Sequence, residues 1–468
     1  MKKKVILLVL GINICLGILF YLQVKDKDNL QKNNIENKNN FIAIMIKENG
    51  ATDYVKSSSS NIPIGDYTLN KEKTYCENNG IVSNYNRTNG SISLSFEGSD
   101  KCYLYFDYID VYGWETILVD NIDGATNSSD ALSKITELSS DKLSSVTTSD
   151  EKGIYKTKDD LGMSYYFRGA VNNNWVVFAN MYWRIIRING DNTIRMIYSG
   201  KVGDFSDAKF EQTDGVYIES SDTSIGRTKY NERSDYAEFV GYQYIIGKQH
   251  GYGKCAPSNE TCIIDGATVY NSTIKQVLEN WYEENILPLD ENDFVSDQIF
   301  CNDRSASTSD VIFSNTNYTT LSSWQSQNMI YYYCTSGRTW YSTLSTSLLC
   351  PLQVDQFTVD KHDNIGNGAL SYPVGLITSD ELNFAGSPAK TDNYTFYLYN
   401  GDYYYTGSPN WFKVSAYVDV MTLARHHANT LSYYNANNGY AIRPVISLSS
   451  NVKLIGSGTW NDPYEVDY

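Results

Sequence analysis

The first 24 residues restrict this chain more than any other stretch, because they decide on which side of a membrane the rest folds. Lysines at positions 2–4 precede an uncharged, apolar run from Val5 to Val24. About 20 helical residues, at roughly 1.5 Å each, span a hydrocarbon core of about 30 Å. Lysines on the N-terminal side keep that end in the cytoplasm. The pattern predicts a transmembrane signal anchor over residues 1–24, crossing the cell membrane once through residues 5–24, with the bulk of the chain extracellular. The alternative is a cleaved signal peptide.

An extracellular location makes disulfides available, because thiols stay oxidised there. Seven of the eight cysteines lie beyond Val24, and no two have the C-x-x-C spacing of zinc sites. Bridges that close a small strand-rich segment, a short hairpin loop and a long loop would each stabilise the fold. The predicted pairs are Cys76–Cys102, Cys255–Cys262 and Cys301–Cys350, which leave Cys334 as the odd cysteine. The alternative is that Cys334 pairs with Cys301 or with Cys350.

Composition and charge exclude some classes of partner. The formal net charge is −16, from 38 basic and 54 acidic side chains, which repels nucleic acid and anionic lipid. Hydrophobic residues make up 41% and charged residues 20%, as in globular proteins. Tyrosine is in excess, with 40 residues, but it suits half-buried strands and polar binding faces equally. No nucleic-acid partner and no cofactor are predicted.

Changes of periodicity divide the chain into segments. Residues 25–40 carry no apolar period and predict a solvated stalk. Residues 41–110 alternate apolar and polar positions between turn signals, which predicts a small disulfide-bonded β module. The Ser-rich residues 111–153 are predicted to be a linker, and residues 154–468 the main domain.

The clearest helix of the main domain carries one apolar stripe from Ile274 to Tyr282, between a cap at Asn271 or Ser272 and Pro288. A second, shorter helix is predicted to begin at Thr378 or Ser379 and to end before Gly386. The predicted strands cover residues 175–178, 181–188, 193–198, 394–399, 403–406, 411–422 and 439–448. Because helices and strands do not alternate regularly, the pattern predicts an α+β fold with an antiparallel sheet.

Five motifs of the main domain, in order, resemble those of a bacterial surface-protein family of unknown function. They are WRIIRINGDNTIRMIYSG, STIKQVLENWY, VGLITSDEL, YYYTGSPNWF and YAIRPVISL, and they lie within residues 165–455. That family is similar to the C-type-lectin-like fold, in the branch of the formylglycine-generating enzymes. The resemblance implies a C-type-lectin-like domain whose first and last strands pair, here Trp183–Tyr198 with Tyr440–Leu448. It implies no activity and supplies no catalytic residues.

The C-terminal sequence GTWNDPY contains Trp460-Asn461-Asp462, which resembles the calcium-binding tripeptide of C-type lectins. In those lectins the triplet precedes the final strand, whereas here it follows the last strand of the family pattern. Calcium takes about six to eight oxygen ligands, and this tail has few carboxylates. Asn-Asp-Pro is also an ordinary turn, so a turn is predicted and no metal site.

Aromatic-rich segments near the C-terminus give the candidate binding surface. Aromatic faces stack on sugar C–H groups, while amides and carboxylates fix sugar hydroxyls. The predicted binding residues are Asp402, Tyr403, Tyr404, Tyr405, Asn410, Trp411, Tyr433 and Tyr434. The alternative is that alternate residues of these strands fill the core.

Three arginines, Arg184, Arg187 and Arg443, stand within otherwise apolar strands. A buried guanidinium must pair with a carboxylate or with carbonyl oxygens, so structural ion pairs are predicted. An anion-binding site is the alternative.

No catalytic residues are predicted, because no motif joins a base to a nucleophile. The sequence favours a recognition protein that binds a glycan or a cell-surface protein through the aromatic segments. One alternative is a thiol enzyme that resembles membrane-anchored transpeptidases, with Cys334 as nucleophile, His250 as base and Arg338 as electrophile. The other alternative is an inert spacer of the cell envelope.

Overall fold

The computed structural model describes residues 41–467 apart from a set of short segments. Those segments are 49, 64–66, 72, 87–90, 97–99, 109–112, 126, 144, 146, 148–150, 204–222, 249, 306, 308–330, 341–344, 388–392, 413–414 and 422–430. The predicted membrane segment (residues 5–24) and stalk (residues 25–40) lie outside the described residues. Within the described part, no helix combines the length and the apolar character that a membrane crossing requires.

The fold is mainly β, with 37% strand against 17% helix. The predicted α+β class is therefore wrong, and its C-type-lectin-like description and N-terminal transmembrane helix find no support in the described residues. The longest described helix, Thr273–Asn285, has 13 residues. The Tyr-, Val- and Thr-rich runs form strands instead, because such side chains suit a pleated, half-buried surface.

The described part of the chain divides into two compact units, residues 41–108 and residues 113–467. The described strands of the first unit are β1 (Phe41–Lys47), β2 (Val55–Lys56), β3 (Tyr67–Leu69), β4 (Tyr75–Cys76), β5 (Ile81–Asn86), β6 (Ser91–Ser95) and β7 (Lys101–Tyr108).

The main sheet of the first unit has the order β2-β1-β7-β3, with β4 also beside β7. β1 runs parallel to β7, and their inward side chains Ile44, Leu104 and Phe106 form a small core. Cys76 lies directly opposite Cys102 across β4 and β7, so their disulfide ties the edge strand to the sheet.

The second unit holds the remaining described elements. Its helices are α1 (Gly113–Asn121), α2 (Ser128–Lys134), α3 (Ser140–Leu143), α4 (Thr273–Asn285), α5 (Cys334–Thr339) and α6 (Ser379–Ala385). Short 3-10 helices cover Ala237–Val240, Asp290–Phe294 and Gln353–Asp355. Its strands are β8 (Lys152–Asp159), β9 (Gly162–Gly169), β10 (Trp175–Phe178), β11 (Met181–Ile188), β12 (Ile194–Lys201), β13 (Arg227–Lys229), β14 (Gln243–Tyr244), β15 (Thr261–Ile264), β16 (Ala267–Asn271), β17 (Phe300–Cys301), β18 (Tyr331–Tyr332), β19 (Gln356–Phe357), β20 (Tyr404–Phe412), β21 (Ala416–Met421), β22 (Leu431–Asn435), β23 (Gly439–Ala441), β24 (Val445–Leu448), β25 (Lys453–Ile455) and β26 (Tyr464–Asp467).

The larger sheet of the second unit has the order β24-β12-β11-β10-β26-β25, and β9 and β8 extend it beside β11. β11 and β12 form a hairpin, and β12 also pairs with β24, where Ile194 lies opposite Leu448. The expected meeting of residues 183–198 with residues 440–448 is therefore present, through β12. Both faces of this sheet are largely buried in the core of the unit.

A second sheet of this unit has the order β13-β23-β20-β21-β22, with β18 also beside β20. β20, β21 and β22 form an antiparallel meander. It carries most of the aromatic residues predicted to bind a ligand. The predicted strand at 394–399 is wrong, because the chain there makes turns that bury Phe396 and Leu398.

Both predicted helices are present. The side chain of Ser272 caps α4 by accepting a hydrogen bond from the backbone N–H of Lys275. α6 begins with a capping box between Thr378 and Glu381 and ends at Gly386. Gly386 has φ of 120°, a conformation that glycine adopts without strain.

The segment 111–153, predicted to be a linker, belongs to the second unit. α1 and α2 lie in it, and Ile117, Leu118 and Ile135 are buried in the core of that unit. Asn127 caps α2 by accepting from the N–H of Asp130. The apolar face is spread over two short helices separated by serines, so no single window of sequence shows a strong helical period.

The two disulfides of the second unit are Cys255–Cys262 and Cys301–Cys350. The three predicted pairs therefore all form, and Cys334 takes part in none of them. Three disulfides indicate an extracellular or secreted protein, because such bonds persist in oxidising compartments.

Candidate functional site

The eight residues predicted to bind a ligand fall into buried and half-buried groups. Tyr404 and Tyr405 are fully buried, and Asn410 is 1% exposed. The hydroxyl of Tyr404 donates to the carbonyl of Leu398 at 3.1 Å, and that of Tyr405 donates to the carbonyl of Asn438 at 2.7 Å. These three residues are part of the core, as the alternative interpretation of these strands expected.

One half-buried aromatic cluster lies on a single face of the second sheet. Its members, Trp340, Trp411, Tyr417 and Tyr433, are called here the tryptophan face. The rings of Trp411 and Tyr417 are stacked with centroids 4.3 Å apart, and Tyr433 meets Trp411 edge-on at 5.7 Å. Trp340, just after α5, meets Tyr433 at 5.0 Å. Offset and edge-to-face aromatic contacts stabilise such a cluster beyond its buried area.

Strand register assembles the tryptophan face. Trp411 of β20 lies opposite Tyr417 of β21, and Asp419 of β21 lies opposite Tyr433 of β22. Because successive side chains of a strand alternate between faces, Tyr417 and Asp419 point to the same side. The face therefore depends on pairing across three strands.

A second cluster, the tyrosine face, consists of Tyr403, Tyr434 and Tyr440. Tyr403 stacks on Tyr440 at 5.6 Å, and Tyr434 lies 5.1 Å from Tyr440. Tyr433 and Tyr434 are neighbours in β22, so their side chains leave opposite faces of the sheet. The predicted residues therefore belong to two separate surfaces rather than to one.

The remaining predicted binding residue, Asp402, is 6% exposed beside the tyrosine face. Both its carboxylate oxygens accept from one nitrogen of Arg227 at 2.9 Å. The Arg227 side chain is half exposed, so this pair adds polarity to the rim of the tyrosine face.

A buried carboxylate that sequence reasoning missed, Asp419, lies directly beneath the tryptophan face. It accepts hydrogen bonds from the Ser379 hydroxyl at 2.6 Å, from the Asn410 amide and from the Trp340 indole at 3.4 Å. Burial raises the pKa of Asp419 to about 7, against these three hydrogen bonds, which lower it. The signal in the sequence that could have identified Asp419 is a single acid within the otherwise apolar run AYVDVM.

A small cavity elsewhere in the second unit is lined by charged side chains. Arg187 bridges Asp159 at 2.5 Å and Glu381 at 3.0 Å, and Arg195 lies 2.6 Å from Glu381. The cavity volume of about 30 Å³ suits a water molecule and excludes a sugar ring or a peptide. The predicted structural ion pairs of Arg187 are present, and the cluster is part of the core.

The other two arginines singled out in the sequence pair with neutral groups. Arg184 donates to the Asn174 amide oxygen at 2.6 Å and lies 4.2 Å from the Trp175 ring centre. Arg443 donates to the Tyr198 carbonyl at 2.9 Å, and its guanidinium lies 4.9 Å from the Tyr404 ring centre. Carbonyl oxygens, one of the two kinds of partner expected for a buried guanidinium, and aromatic faces thus hold these two arginines, and no ion pair of either is seen among the described residues.

The thiol-enzyme alternative does not fit the surroundings of Cys334. Burial, and then the carboxylate of Asp303, raises the pKa of Cys334 to about 11, although Arg338 lowers it. A nucleophilic cysteine needs a depressed pKa. Arg338 is held by Asp303 at 2.8 Å and Asp380 at 2.9 Å. His250 lies 3.1 Å from Asp355, and no described hydrogen bond links it to Cys334.

The Trp460-Asn461-Asp462 triplet forms a turn, as predicted. An isolated bridge joins Thr459 to Asp462, and the Trp460 ring lies 4.4 Å from Tyr182 and 5.2 Å from Trp175. The side chain of Trp460 therefore packs against β10 and β11 of the larger sheet.

Potential metal ligands come together at one place in the described part of the chain, at Cys76, Asp100 and Cys102. The two cysteines are already joined by a disulfide, so their sulfurs are not thiolate ligands.

Comparisons with protein-family models, with curated proteins and with solved structures each find no match to this chain. The resemblance to the bacterial surface-protein family stays a prediction.

Proposed function

We propose that this protein is an extracellular recognition protein that binds a glycan through the tryptophan face. The observation that carries the proposal is a cluster of two tryptophans and two tyrosines, all half-buried, on one face of an antiparallel meander. Aromatic rings with one face or edge exposed are the usual partners of sugar C–H groups. The order of the five sequence motifs resembles that of a family of bacterial surface proteins, which agrees with an extracellular location.

The rigidity of the face favours binding. Trp411 and Tyr417 stack across the strands, and the Trp340 indole is held by a hydrogen bond to buried Asp419. Side chains fixed before binding lose less conformational entropy when a ligand arrives.

The tryptophan face also offers polar contacts. The hydroxyl of Tyr417 makes no hydrogen bond to any described residue, so it is available to a sugar hydroxyl. Stacking rings with a free hydroxyl beside them suit a ligand that presents both C–H groups and hydroxyls.

A glycan array probed with the full chain tests the proposal. We expect one class of glycan to be retained, and Tyr433→Ala to weaken its binding by up to about tenfold, from the loss of edge-to-face ring contacts. Tyr434→Ala is the matched control, because it changes the next residue of the same strand on the other face, and we expect little change.

Thermal melts of both variants check that the second unit remains folded. The proposal fails if no glycan is retained, which would favour a protein partner. It also fails if the two variants lose affinity equally.

A further inference from the structure

The first unit contains a polar pocket that lies outside the site discussed so far. Its volume is about 400 Å³, within the range of roughly 300–1,000 Å³ that is usual for small-molecule sites. The residues used below, Lys47, Tyr54, Asn70, Lys73 and Asp107, all line it.

The floor of the pocket is a hydrogen-bonded triad of Tyr54, Asn70 and Asp107. The Tyr54 hydroxyl donates to one oxygen of Asp107 at 2.5 Å, and the Asn70 amide donates to the other at 2.7 Å. The backbone N–H of Lys73 donates to the amide oxygen of Asn70 at 3.0 Å. Tyr54 also meets the ring of Tyr105 edge-on at 4.9 Å. Each member of the triad is therefore held in its orientation by a hydrogen bond to another residue of the pocket.

The tyrosine of the triad keeps its proton at neutral pH. Burial, and then the hydrogen bond to Asp107, raises the pKa of Tyr54 to about 12. Tyr54 is thus a permanent donor to Asp107, and the Asp107 carboxylate, which lines the pocket, can accept further hydrogen bonds.

Two lysines and two carboxylates, those of Glu48 and Asp107, line the pocket, so its formal charges balance. The Lys73 ammonium lies 4.6 Å from the centre of the Tyr54 ring, so it stands over the floor. Lys47 also lines the pocket, and neither lysine forms an ion pair with a described residue. Both carboxylates keep their charge, and each is oriented by neutral donors, Asp107 by Tyr54 and Asn70 and Glu48 by the Tyr67 hydroxyl at 2.6 Å.

An oriented amide and carboxylate fit the hydroxyl groups of a sugar, and two unpaired ammonium groups fit an anion. A neutral sugar would use the triad and leave both ammonium groups to solvent. A simple inorganic anion would leave the triad unused.

We propose that this pocket binds an anionic saccharide, one that carries a carboxylate or a phosphate. Lys47 and Lys73 contact the acidic group, while Asn70 and Asp107 bond the neighbouring hydroxyls. The pocket and the tryptophan face belong to different units, so this inference does not depend on the function proposed for the second unit.

Calorimetric titration of the full chain tests the inference with three probes. An oligogalacturonate supplies carboxylates, a glycerol-phosphate oligomer supplies phosphates, and a malto-oligosaccharide of similar length is neutral. We expect one of the two anionic probes to bind, which identifies the source of the charge, and the neutral probe not to bind. Binding should weaken as salt rises, because exposed charges are screened.

Variants locate the binding to the pocket. Lys47→Gln and Lys73→Gln should each weaken binding by about fivefold, the size of one partly exposed charge contact. Lys56→Gln is the matched control, since Lys56 is an exposed lysine of the same unit that does not line the pocket. The inference is overturned if no anionic probe binds, if the neutral probe binds equally, or if Lys56→Gln weakens binding as much as the pocket variants.

Discussion

Replacing Glu381 by glutamine tests the buried charge cluster that holds α6 against the larger sheet. Glu381 is 3% exposed, and it faces both Arg187 and Arg195. Burial alone would raise the pKa of Glu381, but Arg195 and Arg187 outweigh burial and hold it below the ordinary value. Glutamine keeps the shape of the side chain and can still accept the N–H of Thr378. Its amide nitrogen then faces the two arginines, so the substitution removes both the charge and the acceptor that they share.

The magnitude follows from what each arginine retains. Arg187 keeps Asp159 at 2.5 Å, whereas Arg195 loses its one carboxylate partner in the described part of the chain. The side chain of Arg195 is 1% exposed, and the adjoining cavity has room for about one water molecule, which carries no charge to replace that partner. Removing one member of a buried ion pair costs about 3–5 kcal/mol, and we expect Glu381→Gln to lower the free energy of unfolding by that amount.

Urea unfolding monitored by tryptophan fluorescence measures this loss of stability in the second unit, to which Glu381 belongs. All eight tryptophans lie beyond residue 111, so fluorescence reports on the second unit alone. Glu232→Gln is the control, because Glu232 pairs with Lys229 at an exposed site and its loss should not be measurable. A loss for Glu381→Gln as small as that of the control would refute the reasoning.

Three further predictions concern single residues. Burial raises the pKa of Asp419 to about 7, so the folded protein holds this proton more tightly than the unfolded chain does. As pH rises from about 4 to 7, the free energy of unfolding of the wild type should therefore fall by about 4 kcal/mol relative to that of Asp419→Asn. Urea unfolding that gives equal pH profiles for the two proteins would contradict this. Cys334, with its pKa raised to about 11, should react with iodoacetamide at pH 7.5 far more slowly than free cysteine; mass spectrometry showing comparable rates would contradict the burial of the thiol. Gly386→Ala should lower the free energy of unfolding of the second unit by more than about 1 kcal/mol, because φ at this position is 120° and the new Cβ would lie 2.9 Å from Thr147 Oγ1. Gly439→Ala is the control, because a Cβ at that position would meet open space.

Local patterns predicted local structure well. The apolar stripe of α4 and the cap and glycine of α6 are signals within a few residues, and both helices are present. The disulfide pairs also follow from position, because Cys76 and Cys102 flank one strand-rich segment and Cys255 and Cys262 close a short loop.

Features that depend on distant pairing could not be predicted. Tyr404 and Tyr434 both stand in aromatic runs, yet one is fully buried and the other half-buried, because strand register decides which face meets the core. The fold class was wrong for a related reason, since two clear helices outweighed many short strands whose partners lie far along the chain. Asp419 was missed because its importance comes from Ser379 and Trp340, which only the fold brings to it.

The most direct test of the recognition role is hydroxyl-radical footprinting of the full chain with and without the glycan that the array selects. Bound glycan should lower the oxidation of Trp411, Tyr417 and Tyr433, while that of Tyr434 and Tyr440 on the other face should not change. Protection of Tyr434 and Tyr440 alone, or protection of neither face, would contradict the assignment of binding to the tryptophan face.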